Sequence, residues 1–375
     1  MFWLLLGALV SLALAETLAR AAVRRGRYFV LAPRISEALR PDDDVYADLE
    51  PLVNVDTNAD GERGRPDGPS EKAFRILVAG GSAAECRLLN WPSTWMGALE
   101  SLLNSPEALR ALGASESYVG SVGQSGRGDA RSIFRVLEKI LTQYSDLDLL
   151  VIMTGAGDML SWMSLGAGTG ATPRALPTRR LFQVHPEHDF GFTPRTLGLT
   201  EVFRRLRRRS RPPVRTVGNW MGRARSQRAQ ATAFIDDVGD PGAMLDQFET
   251  ALRSIFALAN HHGLPVLLVR QPWLTSYPLA PEDHRRMWNC CIGTAYNGQV
   301  EGYFSDRVIN TVMRHIDEKA AKVATASGVP HVAVTDLIGK RAELFIDRFH
   351  LRPGAAPLVA KPIAEKILNT VSGLD

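Results

Sequence analysis

Two patterns of apolar positions divide the chain. The first is an uninterrupted run, MFWLLLGALVSLALA, from Met1 to Ala15 with no charged side chain. If its helix continues through Glu16 and Arg20 to Val23, it reaches ~33 Å at 1.5 Å per residue, enough to cross a bilayer. The second pattern begins at Phe74, where short apolar runs alternate with amphipathic stretches. The runs Phe74–Gly80, Ser117–Gly123, Asp148–Gly155, Pro265–Arg270 and His331–Asp336 are near-continuously apolar. That pattern predicts strands of a sheet buried on both faces. Between them, apolar residues recur at helical spacing. Thr94–Leu103 has Trp95, Leu99, Leu102 and Leu103, and Ala130–Leu141 has Ile133, Phe134, Leu137, Ile140 and Leu141. Phe248–Ala259 and Val308–Ala326 behave alike. Alternating strands and helices predict an α/β three-layer sandwich around a parallel sheet. Its ligand chemistry belongs at the carboxyl ends of the strands.

Residues 28–73 read as a neck or linker without a sustained apolar period. A short helical stretch is expected near Ile35–Leu39, followed by PDDD (Pro41–Asp44) and a Gly/Asp/Asn-rich run. Residues 166–241 interrupt the later alternation and read as an insertion of the 74–375 domain. Residues 1–27 then form a membrane anchor with a basic juxtamembrane segment. A cleaved signal peptide competes with the anchor, because Ala13-Leu14-Ala15 resembles a processing site, but no basic residue precedes the apolar run.

Composition adds limits. The chain has 375 residues, with 45% apolar and 22% charged side chains, ordinary globular usage. Lys and Arg number 44 against 40 Asp and Glu, a net charge of +4. Seven are Lys, which leaves 37 Arg. Three cysteines, Cys86, Cys290 and Cys291, cannot build a disulfide framework, and no Cys/His spacing suits a structural metal. The run Phe203–Arg215 holds Arg204, Arg205, Arg207, Arg208, Arg209, Arg211 and Arg215. A solvated loop is the default for such a run. Anionic lipid headgroups or an acidic partner protein are the functional alternatives, and nucleic acid lacks any accompanying signature.

The strand ends carry the candidate chemistry. Gly80-Gly81-Ser82 follows the first strand, Val122-Gly123-Gln124-Ser125-Gly126 the second, and Thr154-Gly155-Ala156-Gly157-Asp158 the third. Asp347-Arg348-Phe349-His350 precedes a final helix beginning near Pro353. In this order the four blocks resemble the SGNH (GDSL-like) hydrolase superfamily over residues 74–368, except for the insertion. Downstream, Gln271-Pro272-Trp273 and Arg286-Met287-Trp288-Asn289 resemble a membrane-tethered bacterial branch of that superfamily. The superfamily resemblance implies a flavodoxin-like sheet of about five strands and a serine esterase that needs no metal or organic cofactor. Ser82 matches the nucleophile, in a GGS variant of the GDS block, and His350 matches the general base. Asp347 matches the carboxylate that orients His350. Gly126 matches the glycine whose N–H, with that of Ser82, holds the oxyanion.

The third block departs from the family. Gly157 stands where an Asn normally supplies a third oxyanion donor, so that side-chain donor is missing. Asn90 and Gln124 are the nearby amides that could substitute. Downstream, Gln271-Pro272-Trp273 and Arg286-Met287-Trp288-Asn289, the latter expected in a helix, offer aromatics for a cleft or for the core. The implied activity is hydrolysis of an acylated polysaccharide or lipid by an anchored, extracytoplasmic enzyme. Arg20, Arg24, Arg25 and Arg27 after the apolar run argue instead for a cytoplasmic domain. The alternative is a catalytically impaired accessory or structural subunit of a membrane complex, with the insertion as its interaction surface.

Overall fold

The computed structural model describes residues 1–23, 26–46, 48–186, 191, 193–194, 197–209 and 214–371. Arg24, Arg25 and Arg211, and the side chains of Arg204, Arg205, Arg207, Arg208 and Arg209, lie outside the described residues. In chain order, helix α1 (Phe2–Val23) leads to strands β1 (Ser36–Pro41), β2 (Val53–Asp56) and β3 (Ala73–Gly80). Helix α2 (Trp95–Leu103), strand β4 (Glu116–Ser121), helix α3 (Ala130–Ile140), strand β5 (Leu149–Thr154) and helix α4 (Ala156–Ser164) follow. The insertion contributes α5 (Gly198–Arg209), β6 (Arg215–Val217) and α6 (Asn219–Ala229). The chain ends with α7 (Gly242–His261), β7 (Val266–Arg270), β8 (Cys291–Thr294), β9 (Gln299–Tyr303), α8 (Asp306–Ala326), β10 (His331–Ala333) and α9 (Ala356–Val371).

The central sheet is parallel, in the order β10-β7-β5-β3-β4. Its strands alternate their side chains between two cores. Leu77, Ala79, Leu150, Ile152, Val266 and Leu268 face α3, α4, α7 and α8. Ile76, Val78, Val151, Met153, Leu267 and Val269 face α2 and α9. This is the three-layer sandwich that the apolar runs predict. The strand order reverses direction between β3 and β5, and such a switch point is where an open parallel sheet leaves a crevice.

Residues 28–73, the expected neck, contain two strands and pack on the main domain. Where a short helix was expected, Ser36–Pro41 is the central strand of a second sheet, β2-β1-β6. Leu39, Arg40 and Pro41 pair with Arg215, Thr216 and Val217 of the insertion. Pairing with a segment some 175 residues away outweighs the helix preference of Glu37, Ala38 and Leu39. Asn58, Glu62 and Arg63 are buried against the main domain. Arg75 of β3 joins Asp60, Glu62 and Asp146.

Helix α1 is long and apolar enough to cross a membrane. Residues 1–14 are all exposed. Its later turns dock on α5, whose first two N–H groups, from Gly198 and Leu199, donate to the Glu16 carboxylate at 2.7 and 3.0 Å. Arg20 pairs with Glu16 and donates to the Gly191 carbonyl. The arginine-rich run thus starts as a helix.

Candidate active site

Ser82 lies one residue beyond Gly81, where β3 gives way to a single helical turn, Ser82–Glu85. Two glycines make the turn possible. A Cβ on Gly80 would lie 2.5 Å from the Met153 carbonyl oxygen, and one on Gly81 would lie 3.0 Å from the Gly128 Cα. The turn presents Ser82 at the carboxyl end of the sheet, beside the switch point.

His350 Nε2 is 2.7 Å from Ser82 Oγ. On its other side, His350 Nδ1 lies 2.9 and 2.8 Å from the two Asp347 carboxylate oxygens. The network fixes the tautomer, with Nδ1–H donating to Asp347 and Nε2 free to accept from the Ser82 hydroxyl. Asp347 is 1% exposed, yet its oxygens are well supplied. The backbone N–H groups of Phe349 and His350 donate to Oδ1 at 2.9 and 3.0 Å, and the Trp288 indole donates to Oδ2 at 2.6 Å. Burial by itself would raise the Asp347 pKa. The adjacent His350 and these donors outweigh burial and hold the carboxyl well below the usual range. For His350, burial lowers the pKa, but the Asp347 charge and hydrogen bond, helped by Glu85, leave it above its ordinary value.

The segment bearing Asp347 and His350 is pinned by arginines to which the sequence reading gave no role. Buried Arg348 pairs with Asp306 and donates to the Leu274 carbonyl. Arg286 donates to the Phe345 carbonyl at 2.6 Å. Arg225, from α6 of the insertion, donates to the carbonyls of Arg286, Val45 and Ile346. Neck, insertion and core therefore converge on the triad.

The candidate oxyanion donors lie on the opposite side of Ser82. Gly126, with φ of 73°, has open space around it on the rim. Gly128, two residues on, is the glycine packed against the nucleophile's turn, where a Cβ would lie 2.3 Å from the Gly81 Cα. The N–H groups of Ser82, Gly126 and Gly128 donate to no acceptor among the described residues, and all three residues line the same cavity. The Gly128 carbonyl accepts from Thr154 Oγ1 at 2.9 Å, and the Ala130 N–H donates to both oxygens of Asp158. Burial, with Asp129 adding to it, pushes the Asp158 carboxyl well above its usual range.

Gly157 is sealed against this loop. A Cβ there would lie 2.4 Å from the Gly128 carbonyl carbon and 2.5 Å from the Asp129 nitrogen. The backbone of Gly128 and Asp129 occupies the place an Asn side chain would start from. Neither suggested substitute reaches the site. Asn90 bonds Glu50, the Leu52 carbonyl and the Asn54 N–H, far back on the neck. Gln124 is buried outside both cavities that flank Ser82, and its Oε1 has no partner.

Those two cavities meet at Ser82 and His350. One, of about 290 Å³, is walled mainly by apolar side chains, among them Leu39, Tyr46, Trp220, Met221 and Leu351. The other, of about 500 Å³, is lined by Gly128, Asp129, Gly157, Ser161, Arg180, Gln271 and Asn289. Trp288 and Tyr296 line both. Of the aromatics the sequence singles out, Trp288 reaches the site, from an irregular segment and not from the expected helix. Trp273 is buried in the core and donates to Asn310. A larger cavity, about 890 Å³, opens between Phe74, Leu149 and Val266 at the amino ends of the strands, away from this chemistry. Among the described residues no group of His, Cys, Asp and Glu could hold a metal ion.

No protein-family model matches the chain, and no curated protein does. Among solved structures, it is similar to an acetyl xylan esterase at 12% identity, covering 78% of this chain and 99% of that one, with a TM-score of 0.41. It is similar to a putative acylhydrolase from Bacteroides fragilis at 11% identity, covering 81% and 91%, with a TM-score of 0.40. TesA is similar at 14% identity, covering 78% and 97%, with a TM-score of 0.40.

Proposed function

We propose that the chain is a membrane-tethered serine ester hydrolase of SGNH type. The observation that carries this reading is the unbroken Ser82–His350–Asp347 chain of hydrogen bonds, facing two cavities at the carboxyl end of the sheet. Ser82 Oγ attacks the ester carbonyl while His350 Nε2 takes its proton. Asp347 holds the imidazole in the required tautomer and stabilises the imidazolium. The N–H groups of Ser82 and Gly126 receive the developing oxyanion, and Gly128, in the same cavity with an equally uncommitted N–H, is the second glycine able to do so. His350 then returns the proton to the departing alkoxide. A water molecule, deprotonated by the same nitrogen, attacks the acyl-serine, releases the acid and restores Ser82.

The intact triad favours hydrolysis over the role of a non-catalytic accessory subunit. Helix α1 holds the chain in the bilayer, with the domain on the extracytoplasmic side, where acylated polysaccharides and lipids are within reach. A fluorophosphonate probe tests the reading. It is expected to label the wild-type protein and to fail on Ser82→Ala. A wild type that is folded by circular dichroism but unlabelled would overturn it.

A further inference from the structure

We propose that the cavity of about 290 Å³ is the acyl site for a medium-chain ester, and that the polar cleft takes the alcohol; this rests on the hydrolase reading above. When Ser82 attacks an ester carbonyl, the acyl chain and the alkoxide must leave the reacting carbon in different directions. Two cavities of opposite character meet there. The polar one offers Arg180, Gln271, Asn289 and Ser161 to a hydroxylated alcohol. The Asn289 side-chain nitrogen is buried without a hydrogen-bond partner, so this wall holds an unspent donor. The other cavity offers carbon. Leu39 is 0% exposed, and Tyr46, Met221 and Trp288 are 5–6% exposed. Trp220 stands edge-on to Trp288 at 5.0 Å and against Tyr296 at 4.6 Å. These three rings form a rigid partition beside the nucleophile.

Volume bounds the length of acyl chain that the pocket itself can cover. A methylene is about the size of a water molecule, whose share of liquid volume is ~30 Å³. A space of about 290 Å³ therefore holds an acyl chain of roughly six to ten carbons. An acetyl group would leave most of it unfilled, and a palmitoyl chain would overrun it. Part of the wall comes from segments outside the sandwich. Leu39 and Tyr46 come from residues 28–73, and Val217, Trp220 and Met221 come from the insertion. Pairing of β1 with β6 joins the two segments, and Gly218 lies so close to Tyr46 that a Cβ would meet the ring at 2.5 Å. One consequence of the second sheet is thus a mainly apolar pocket at Ser82, with Arg87 and Arg215 also on its lining.

The test is a series of nitrophenyl esters from acetyl to palmitoyl, hydrolysed by the full-length chain in mild detergent. Each methylene that enters the pocket multiplies kcat/KM by up to about fourfold. The octanoyl ester is therefore expected to exceed the acetyl ester at least tenfold, mainly through KM, with a fall by palmitoyl. Trp220→Ala is expected to move the optimum to longer chains. Met221→Phe, which adds a ring to the same wall, is expected to shorten it. Both effects are read from the position of the optimum within each variant's own length series, not from its absolute rate. An enzyme that takes a fluorophosphonate but prefers acetyl, or whose length profile neither variant shifts, would overturn the acyl site alone. A folded protein that neither takes the probe nor cleaves any ester would overturn the hydrolase reading together with it.

Discussion

The indole N–H of Trp288 donates to the same Asp347 oxygen that lies 2.8 Å from His350 Nδ1. Trp288 therefore positions the triad without touching the reacting atoms. It fills one of the acceptor sites on a buried carboxylate and fixes the plane in which that carboxylate meets the imidazole. Trp288→Phe keeps most of the packing against Trp220 and Tyr296 but removes the donor. Leaving a buried carboxylate oxygen short of a partner costs about 1–3 kcal/mol. We expect kcat for a short-chain ester to fall roughly tenfold to a hundredfold, on the scale where 1.36 kcal/mol is a factor of ten. Labelling of Ser82 by a fluorophosphonate should slow in proportion. An unchanged kcat would show that the indole bond is only structural.

The pH profile follows from the direction of the His350 shift. His350 must be neutral to accept the Ser82 proton, so activity is lost as pH falls through its pKa. Because Asp347 holds that pKa above the ordinary value of 6.5, the acid limb of kcat/KM is expected to have its midpoint above 6.5. Asp347→Asn removes the charge that raises it and leaves burial, which lowers it. The acid limb should then move to lower pH while the rate drops by about 10⁴. A limb that stays in place in the variant would assign it to another group.

The legible parts of this fold were local ones. The five apolar runs predict the five strands of the central sheet, because a strand covered on both faces has no polar side to show. The candidate site was also readable where its geometry is local. Asp347 and His350 meet across one turn, and Ser82 needs only a strand, two glycines and a turn. What long-range pairing decides was not legible. Ser36–Pro41 reads as helix until Arg215–Val217 comes to lie beside it. The β8–β9 hairpin is short and polar and gave no signal. Arg225 and Arg348 look like two of many arginines. Only the fold shows that each grips carbonyls of distant segments. The pairing of Gly128 with Gly81 belongs to the same class, since nothing in a run of glycines says which one touches the nucleophile's turn.

Helix α1 makes a separate expectation. Its exposed residues 1–14 extend ~21 Å at 1.5 Å per residue, against a hydrocarbon core of ~30 Å. A full crossing therefore draws the Glu16–Arg20 pair to the boundary, where each side chain already has a partner. Full-length protein is expected to stay in the membrane fraction after alkaline carbonate washing, and Glu16→Ala, which removes the carboxylate paired with Arg20 and capping the Gly198 and Leu199 N–H groups, should weaken that retention. Recovery of a soluble chain beginning at Glu16 would instead identify a removed leader. External protease on spheroplasts is expected to digest the domain. Protection would place it in the cytoplasm, on the side favoured by the arginines after the helix.

Gly157 gives the sharpest test of the two-donor oxyanion site. From the sequence alone, replacing it by Asn would restore a missing donor and raise the rate, since removing such a donor elsewhere costs ~10²–10³ in kcat. The structure argues the opposite. A Cβ at Gly157 would stand 2.4 Å from the carbonyl carbon of Gly128, backbone that cannot swing aside like a flexible side chain. That peptide is tied down by Thr154 Oγ1, and the next turn is tied down by Asp158. Any side chain at residue 157 must displace the Gly128–Asp129 peptide, in the loop that packs on Gly81 beside Ser82. Both Gly157→Asn and Gly157→Ala are therefore expected to lower ester hydrolysis at least tenfold and to lower the melting temperature, with no gain from the amide. Gly126→Ala is the control. It stands in open space with φ of 73°, so it should lose about 1 kcal/mol of stability to backbone strain and keep most of its activity. A folded Gly157→Asn enzyme faster than wild type would show that the loop yields and that a third donor was what the site lacked.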